Sequence, residues 1–328
     1  MQTSNSSVRH KFCVAPMMDL TDRHDRYLLR LLSRHALLYT EMITAEALLR
    51  GDPRWLLAFH PAEHPLALQL GGSDPTKLAA CATLAQQHGF DEVNLNVGCP
   101  SDRVKSGSFG ACLMLNADLV AECFAAMQAV IDIPVTIKCR IGVDQQEPQT
   151  ALPAFIETVA DSGCRCFIIH ARKAWLQGLS PRQNREIPPL DYATVYRMKT
   201  LFPELEIVIN GGIATLDAAT QHLVHVDGVM LGRTAYYDPY LLADVDNQMF
   251  DTANERPSRE QVFAAYLNYV EQQLRAGTAL KHTAKHVLGL FHGQPGARRF
   301  RRHISENVHK DNASIQILED AYALVGTG

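Results

Sequence analysis

Eight short apolar runs, most of them followed by a stretch of helical periodicity, predict a parallel (β/α)8 TIM barrel in this chain of 328 residues. A polar break near residue 250, with four more helical patterns beyond it, predicts a C-terminal all-helical domain. Strand ends that are polar with unusual regularity put a ligand site at the mouth of the barrel.

The runs come in order as "KFCVAPM" (11–17), "LLYTE" (37–41), "LALQL" (66–70), "EVNLN" (92–96), "VTIKCR" (135–140), "CFIIH" (166–170), "EIVIN" (206–210) and "DGVMLG" (227–232). Between them, "DPTKLAACATLAQQHG" opens on an Asp/Thr start and closes on glycine, as a helix does. "NADLVAECFAAMQAV" is apolar at helical spacing, and "TLDAATQHL" follows the seventh run. The barrel is expected over 1–250, close to the usual size of about 250 residues. "DTANERPSRE" (251–260) reads as a linker into a helical domain over 251–328. Its helices are expected in "QVFAAYLNYVEQQLRAG", "LKHTAKHVLGLFHG", "GARRFRRHISENVHK" and "IQILEDAYALVG".

Hydrophobic residues make up 47% of the chain, enough for one large core. The net charge of -4 argues against the whole surface being a polyanion binder. Charge is uneven, however. From residue 255 onward there are 10 Lys/Arg against 7 Asp/Glu, a net of +3, and the remainder holds 21 against 28, a net of -7. "GARRFRRH" places four arginines within five positions, so the tail is the candidate surface for a polyanion. The eight cysteines form no CxxC pair and no zinc-type Cys/His spacing, and no metal is expected. Mostly buried, reduced thiols indicate a cytoplasmic protein. "MQTSNSSVRHKF" has no apolar signal core and no run approaches 18 apolar residues, so neither a leader nor a membrane span is expected.

In a barrel of this kind the C-terminal strand ends line the active site. Here they read Glu41, Gln69, Asn96, Lys138 with Arg140, His170, Asn210 and Gly232-Arg233. One such residue is readily a surface or capping group. Seven strands ending this way describe a polar mouth, expected above an apolar barrel. Period two puts Asn94 with Asn96, and Lys138 with Arg140, on one face. "INGGI" (209–213) carries Gly211 and Gly212 after strand seven, and "LGRTA" (231–235) carries Gly232 and Arg233 after strand eight. Ordinary turns also use glycine, but these two loops are the recurrent phosphate site of such barrels. Arg233 adds a charge-assisted contact.

Two ligands suit a phosphate facing a cation. One is a sugar phosphate, with Lys138 as the Schiff-base amine. The other is FMN, with Lys138 at the electron-rich edge of the ring. Strand one ends in Pro16, Met17 and Met18, an apolar floor that favours a flat ring. Cys99, in "NLNVGCPSDRVKSG" (94–107), then acquires a role. Reducing a C=C bond takes a hydride and a proton, and a thiol is ordinarily protonated at neutral pH. A nucleophilic or merely buried cysteine is the alternative.

The segments "APMMDLTDRHDRYLLRLLSRHALLYTEMITAEALL", "LQLGGSDP", "NLNVGCPSDRVKSGSFGACLM", "IKCRIG", "FIIHARKAWLQGLSPRQNREIPPLDY", "INGGI", "GVMLGRTAYYDP" and "LGLFHGQPGARRFRRHISENVHK" resemble the tRNA-dihydrouridine synthases, and among them the DusA subfamily. The likeness spans nearly the whole chain. It implies an FMN-containing barrel and a helical tRNA-binding domain. It implies reduction of the uridine C5=C6 bond with NADPH in the tRNA D-loop, at positions 20 and 20a. By motif, FMN contacts fall on Pro16, Met17, Met18, Gln69, Lys138, His170, Asn210, Gly211, Gly212, Gly232 and Arg233. Cys99 matches the acid that protonates C5, while the flavin hydride goes to C6. Asn96 matches a residue near the substrate uracil. Arg182, Arg185 and Arg298 match positions that seat tRNA.

The residues of the tail agree with this implication. Arg298, Arg301 and Arg302 stand at i, i+3 and i+4 on one helix face. A base pulled out of folded tRNA needs its phosphates held away from the mouth. A solvated basic helix is the plainer reading of the same residues. A small-molecule flavoenzyme, a sugar-phosphate lyase and a non-catalytic tRNA-binding protein are the rival functions. No protein partner is evident, and a monomer is expected.

Overall fold

The computed structural model describes residues 9–101, 109–253, 255–310 and 312–326. Part of the N-terminal stretch and the remainder of the Cys99 motif, 102–107, lie outside the described residues. Nine strands form one parallel sheet: β1 Phe12–Val14, β2 Leu37–Tyr39, β3 Ile43–Thr44, β4 Leu66–Gly71, β5 Glu92–Val97, β6 Val135–Arg140, β7 Cys166–His170, β8 Glu206–Asn210 and β9 Gly228–Leu231. Their order is β2-β1-β9-β8-β7-β6-β5-β4-β3. β2 also pairs with β4, Leu38 with Leu66 and Tyr39 with Ala67, and this closes eight strands into a (β/α)8 barrel.

All eight expected runs are barrel strands. β3 is an addition: two residues paired on β4 alone. It is short because Thr44 turns the chain into the helix Ala45–Arg50, its hydroxyl accepting from the Ala47 N–H.

Side-chain caps start the outer helices. Asp74 caps Pro75–Gln87, Asn116 caps Ala117–Gln128 and Thr215 caps Leu216–Leu223, each accepting a first-turn N–H. Such caps are worth about 1 kcal/mol each. Apolar residues between strands and helices, such as Leu68, Leu95, Ile137 and Ile169, make one continuous core. A smaller cluster of Cys13, Ala15, Leu37, Tyr39, Ala67, Cys166, Ile168, Val208 and Met230 is built from the opposite strand faces, which line the barrel axis.

The axis is not apolar throughout, contrary to the sequence expectation. Glu92, Asn94, Gln69 and Thr136 are all fully buried, or within 1% of it, on the inward faces of β4, β5 and β6. They tolerate burial because they bond to one another: Gln69 Nε2 donates to Asn94 Oδ1 at 2.8 Å and Asn94 Nδ2 to Thr136 Oγ1 at 2.8 Å.

Beyond the barrel lie the helices Arg259–Arg275, Leu280–Ala284, Ala297–Asn307 and Gln316–Tyr322. The first docks on the barrel helix Arg23–Leu32, with Tyr269 stacked on Tyr27 at 4.0 Å and bonded to His24 Nδ1 at 2.7 Å. Among the described residues no helix is long and apolar enough to cross a membrane. Six cysteines are buried, and Cys99 and Cys112 are half-buried.

Candidate active site at the barrel mouth

Cys99 follows β5 by two residues, and its loop is held by backbone contacts. Asn96 Oδ1 accepts the N–H of Gly98 at 3.1 Å and of Cys99 at 2.9 Å. The Ala111 N–H donates to the Cys99 carbonyl at 2.9 Å. Arg140, buried at the end of β6, donates from Nε to the Gly98 carbonyl at 3.1 Å and from Nη1 to the Asn184 carbonyl at 3.0 Å. The thiol itself lies 3.5 Å from Ser101 Oγ. Lys138, Arg140 and Arg185 all interact electrostatically with it. Cys99 is half-buried on the loop after β5.

Lys138 points inward from β6 and donates from Nζ to Asn210 Oδ1 at 2.9 Å. Asn210 is fixed in turn, its Nδ2 donating to the Met230 carbonyl at 2.7 Å. Burial, with Arg140 beside it, pushes the Lys138 ammonium down to about 8. Burial, with Arg140 and Lys138 next, drives His170 well below the ordinary imidazole value, so its ring is neutral. Among the described residues His170 Nδ1 is buried without a hydrogen-bond partner.

Gly211 and Gly212 have φ of +118° and +72°, and a Cβ on Gly212 would sit 2.6 Å from Leu190 and 2.9 Å from the Tyr192 hydroxyl. Only glycine fits that turn. Arg233 opens the short helix Arg233–Tyr237 after Gly232. It is exposed and paired through Nη1 with Glu186 Oε1 at 2.9 Å, an oxygen it shares with Arg182 Nε at 3.5 Å. Pro16 and Met17 are half-buried after β1, and Met18 is 53% exposed.

The barrel thus brings together Cys99, Asn96, Gln69, Lys138, His170, Asn210, Gly211, Gly212, Gly232 and Arg233 at one end, with Arg182 and Arg185 on the loop after β7. Arg298, Arg301 and Arg302 stand apart on the helix Ala297–Asn307, which packs against Gln316–Tyr322. Arg298 is exposed, Arg301 half-buried and Arg302 exposed, with Arg302 tied to Glu306 at 2.7 Å. Sequence reading missed Glu186, Thr136 and Glu92. The last two share the inward phase of Lys138 and Asn94, a signal that was available. Glu186 meets Arg233 across 47 positions, and no local pattern could have found it.

A closed parallel barrel whose strand ends converge on one thiol, a buried-sided ammonium and a glycine-lined turn is the architecture of a barrel enzyme. The chain belongs to the dihydrouridine synthase (Dus) family, whose pattern it matches over residues 13–325. It is 57% identical over 316 residues to the tRNA-dihydrouridine(20/20a) synthase of Shewanella oneidensis, covering 96% of this chain and 94% of that protein. The protein of the same name from Vibrio cholerae is 57% identical over 318 residues, covering 96% of each. That of Escherichia coli K12 is 57% identical over 316 residues, covering 96% of this chain and 91% of its own.

Proposed function

We propose that this chain reduces the C5=C6 bond of uridine to 5,6-dihydrouridine in the tRNA D-loop, at positions 20 and 20a, with FMN bound at the mouth and NADPH as reductant. The observation that carries this reading is the half-buried Cys99 thiol, fixed through both of its backbone groups beside three cations.

The residues present fit FMN. His170 Nδ1 is a buried polar atom in need of a partner. Lys138 spends one donor on Asn210 and keeps two. Gly211, Gly212, Gly232 and Arg233 suit a phosphate, and Pro16, Met17 and Met18 suit an apolar ring face. Gln69 and Asn210 stand on the inward faces between them. Bound and reduced, the flavin supplies the hydride that goes to C6.

The chain's own residues do the rest. Asn96 holds the Cys99 backbone while facing the substrate base. Cys99 delivers its proton to C5, and the thiolate left behind is surrounded by Lys138, Arg140 and Arg185 until water reprotonates it. Arg182 and Arg185 meet tRNA phosphates at the rim. Residues 251–328 form the tRNA-binding unit beside a catalytic barrel of 1–250, with Arg298, Arg301 and Arg302 on the phosphate backbone. The enzyme acts as a cytoplasmic monomer.

The test is direct. Purified protein should be yellow, consume NADPH in the presence of unmodified tRNA, and leave dihydrouridine at 20 and 20a on mass mapping. A colourless protein, or activity on free pyrimidine without tRNA, overturns the reading.

A further inference from the structure

A continuous set of hydrogen bonds runs along the barrel axis from its floor to the Cys99 loop, and every link points the same way. At the top, the N–H groups of Gly98 and Cys99 can only donate, so Asn96 must present Oδ1 to them. Asn96 Nδ2 is thereby turned onto Gln69 Oε1 at 2.8 Å. Gln69 Nε2 then faces Asn94 Oδ1, and Asn94 Nδ2 faces Thr136 Oγ1, both at 2.8 Å. Thr136 has one proton left, and it goes to Glu92 Oε1 at 2.6 Å.

Glu92 is where the direction is fixed from below. Its carboxylate also accepts from the Tyr39 hydroxyl at 2.9 Å, and its other oxygen lies 2.6 Å from His10 Nε2. His10 Nδ1 lies 3.0 Å from Glu206 Oε1. Burial alone would raise Glu92, but His10 outweighs it and the carboxyl is held below its ordinary value. His10 in turn is held well above the ordinary imidazole value, against burial, with Cys166 and Glu92 the leading favourable influences. His10 thus lies between the carboxylates of Glu92 and Glu206. The floor therefore ends in an anion that only accepts, and the mouth begins with two groups that only donate. Each amide between them has one allowed orientation.

We infer that Glu92 and Thr136 are positioning residues, which anchor Asn96 from below through Asn94 and Gln69 and thereby hold the Cys99 loop where its thiol can act. They touch neither flavin nor uridine. Losing the Thr136 link leaves Asn94 Nδ2 without its acceptor, so Asn94, Gln69 and Asn96 are held from the mouth alone. With its lower anchor gone, Asn96 holds the Gly98 and Cys99 N–H groups less rigidly, and the loop loosens. The consequence for turnover rests on the reading of Cys99 as the acid; the hold on the loop does not.

The experiment compares Thr136→Val, which has the same shape without the hydroxyl, with Thr136→Ser and with Tyr39→Phe. Tyr39→Phe also removes a buried bond to Glu92, but off the path to Cys99. Thr136→Val should cut turnover on tRNA about tenfold, since small misplacements of a reacting group are costly. Turnover is taken per bound flavin, because Gln69 lies on the path, and KM for tRNA and the rate of flavin reduction by NADPH should stay as in the parent. Thr136→Ser should restore turnover, and Tyr39→Phe should retain it. The second readout is the alkylation rate of Cys99 by iodoacetamide, followed by mass spectrometry with half-buried Cys112 as the internal reference. It should change severalfold in Thr136→Val alone. Equal effects of Thr136→Val and Tyr39→Phe, or unchanged alkylation in Thr136→Val, overturn the inference. If Thr136→Val does not fold, Thr136→Ala against Thr136→Ser makes the same comparison. Should Cys99→Ala retain full activity while alkylation shifts in Thr136→Val, the acid reading fails and the hold on the loop stands.

Discussion

The two sides of the barrel mouth are built on opposite rules. On the side of β4, β5 and β6, Gln69, Asn94, Asn96 and Thr136 find their partners within the protein. On the side of β7, β8 and β9, among the described residues, His170 Nδ1 has none, the turn at Gly211 and Gly212 presents backbone, and Arg233 is paired with an exposed carboxylate. A polar group with all its bonds made inside a protein holds the chain in place. A buried polar group without a partner costs free energy until something else supplies one. In the proposed function the first side is therefore a mount for the chain's own thiol, and the second a receptor for a ligand.

The sharpest way to separate the two is to remove the thiol. Cys99→Ala should keep its flavin and still be reduced by NADPH, because the receptor side is untouched. It should lose dihydrouridine formation by ~10²–10⁴-fold, the usual worth of a general acid. Stopped-flow reduction by NADPH beside product mapping in tRNA checks both halves. Undiminished product formation would remove Cys99 from the chemistry.

How far the sequence revealed this contrast depends on the range of each interaction. The barrel was legible because strand periodicity and the caps at Asp74, Asn116 and Thr215 are local signals. β3 was not, because two residues carry no period. Asn94 and Asn96 could be put on one face, but their orientation is fixed between the Gly98 and Cys99 N–H groups above and Glu92 below, whose charge depends on His10, 82 positions away. The receptor side was legible as glycines in two loops. Its present partner, Glu186, was not, because the loop after β7 had no readable course. The thiol's place on the loop after β5 was legible from the sequence, while Arg140, read as a strand end, proved to bond the Gly98 carbonyl and so hold the loop itself.

The tail tests whether substrate is held away from both sides of the mouth. Arg298 and Arg301 form no ion pair among the described residues, whereas Arg302 is partly neutralised by Glu306. Reversing Arg301 and Arg302 to Glu together should weaken tRNA binding about tenfold or more and flatten its salt dependence by roughly 0.7–0.9 log units per lost phosphate contact. Flavin content should not move. Arg298→Ala should cost turnover beyond the affinity lost, if Arg298 orients the tRNA as well. Binding curves at two salt concentrations decide it, and an unchanged affinity and slope would make this a solvated helix.

Lys138 stands on β6 but reaches across to Asn210 of β8, and so sharpens the receptor side through pH. Its ammonium is held at about 8, below the ordinary lysine value of about 10.5. Below that window both folded and unfolded chains hold the proton. Within it the unfolded chain binds a proton that the folded chain has released, so stability rises with pH. Flavin-free protein should gain resistance to urea between pH 8 and pH 10 relative to Lys138→Met, which has no such group. Saturating FMN, by giving the ammonium an acceptor, should shrink that difference. Parallel pH profiles for the two proteins would mean that Lys138 is not held under this cost.

The smallest effect belongs to Glu186. Its Oε1 accepts from Arg233 and also lies near Arg182, and Arg233 holds it below the ordinary carboxylate value. Both partners are exposed, and exposed pairs contribute little to stability. Glu186 nevertheless occupies the arginine that a flavin phosphate would use, so a carboxylate and a phosphate compete for one guanidinium. Glu186→Gln removes the competing charge while keeping the shape. FMN should then bind flavin-free protein about two- to fivefold more tightly at low salt, as expected for one solvent-exposed charge, with the advantage fading at high salt. Fluorescence titration with FMN at two ionic strengths measures it. Weaker binding in Glu186→Gln would mean that the carboxylate braces Arg233 for the phosphate, and Glu186 would then belong with the mount rather than the receptor.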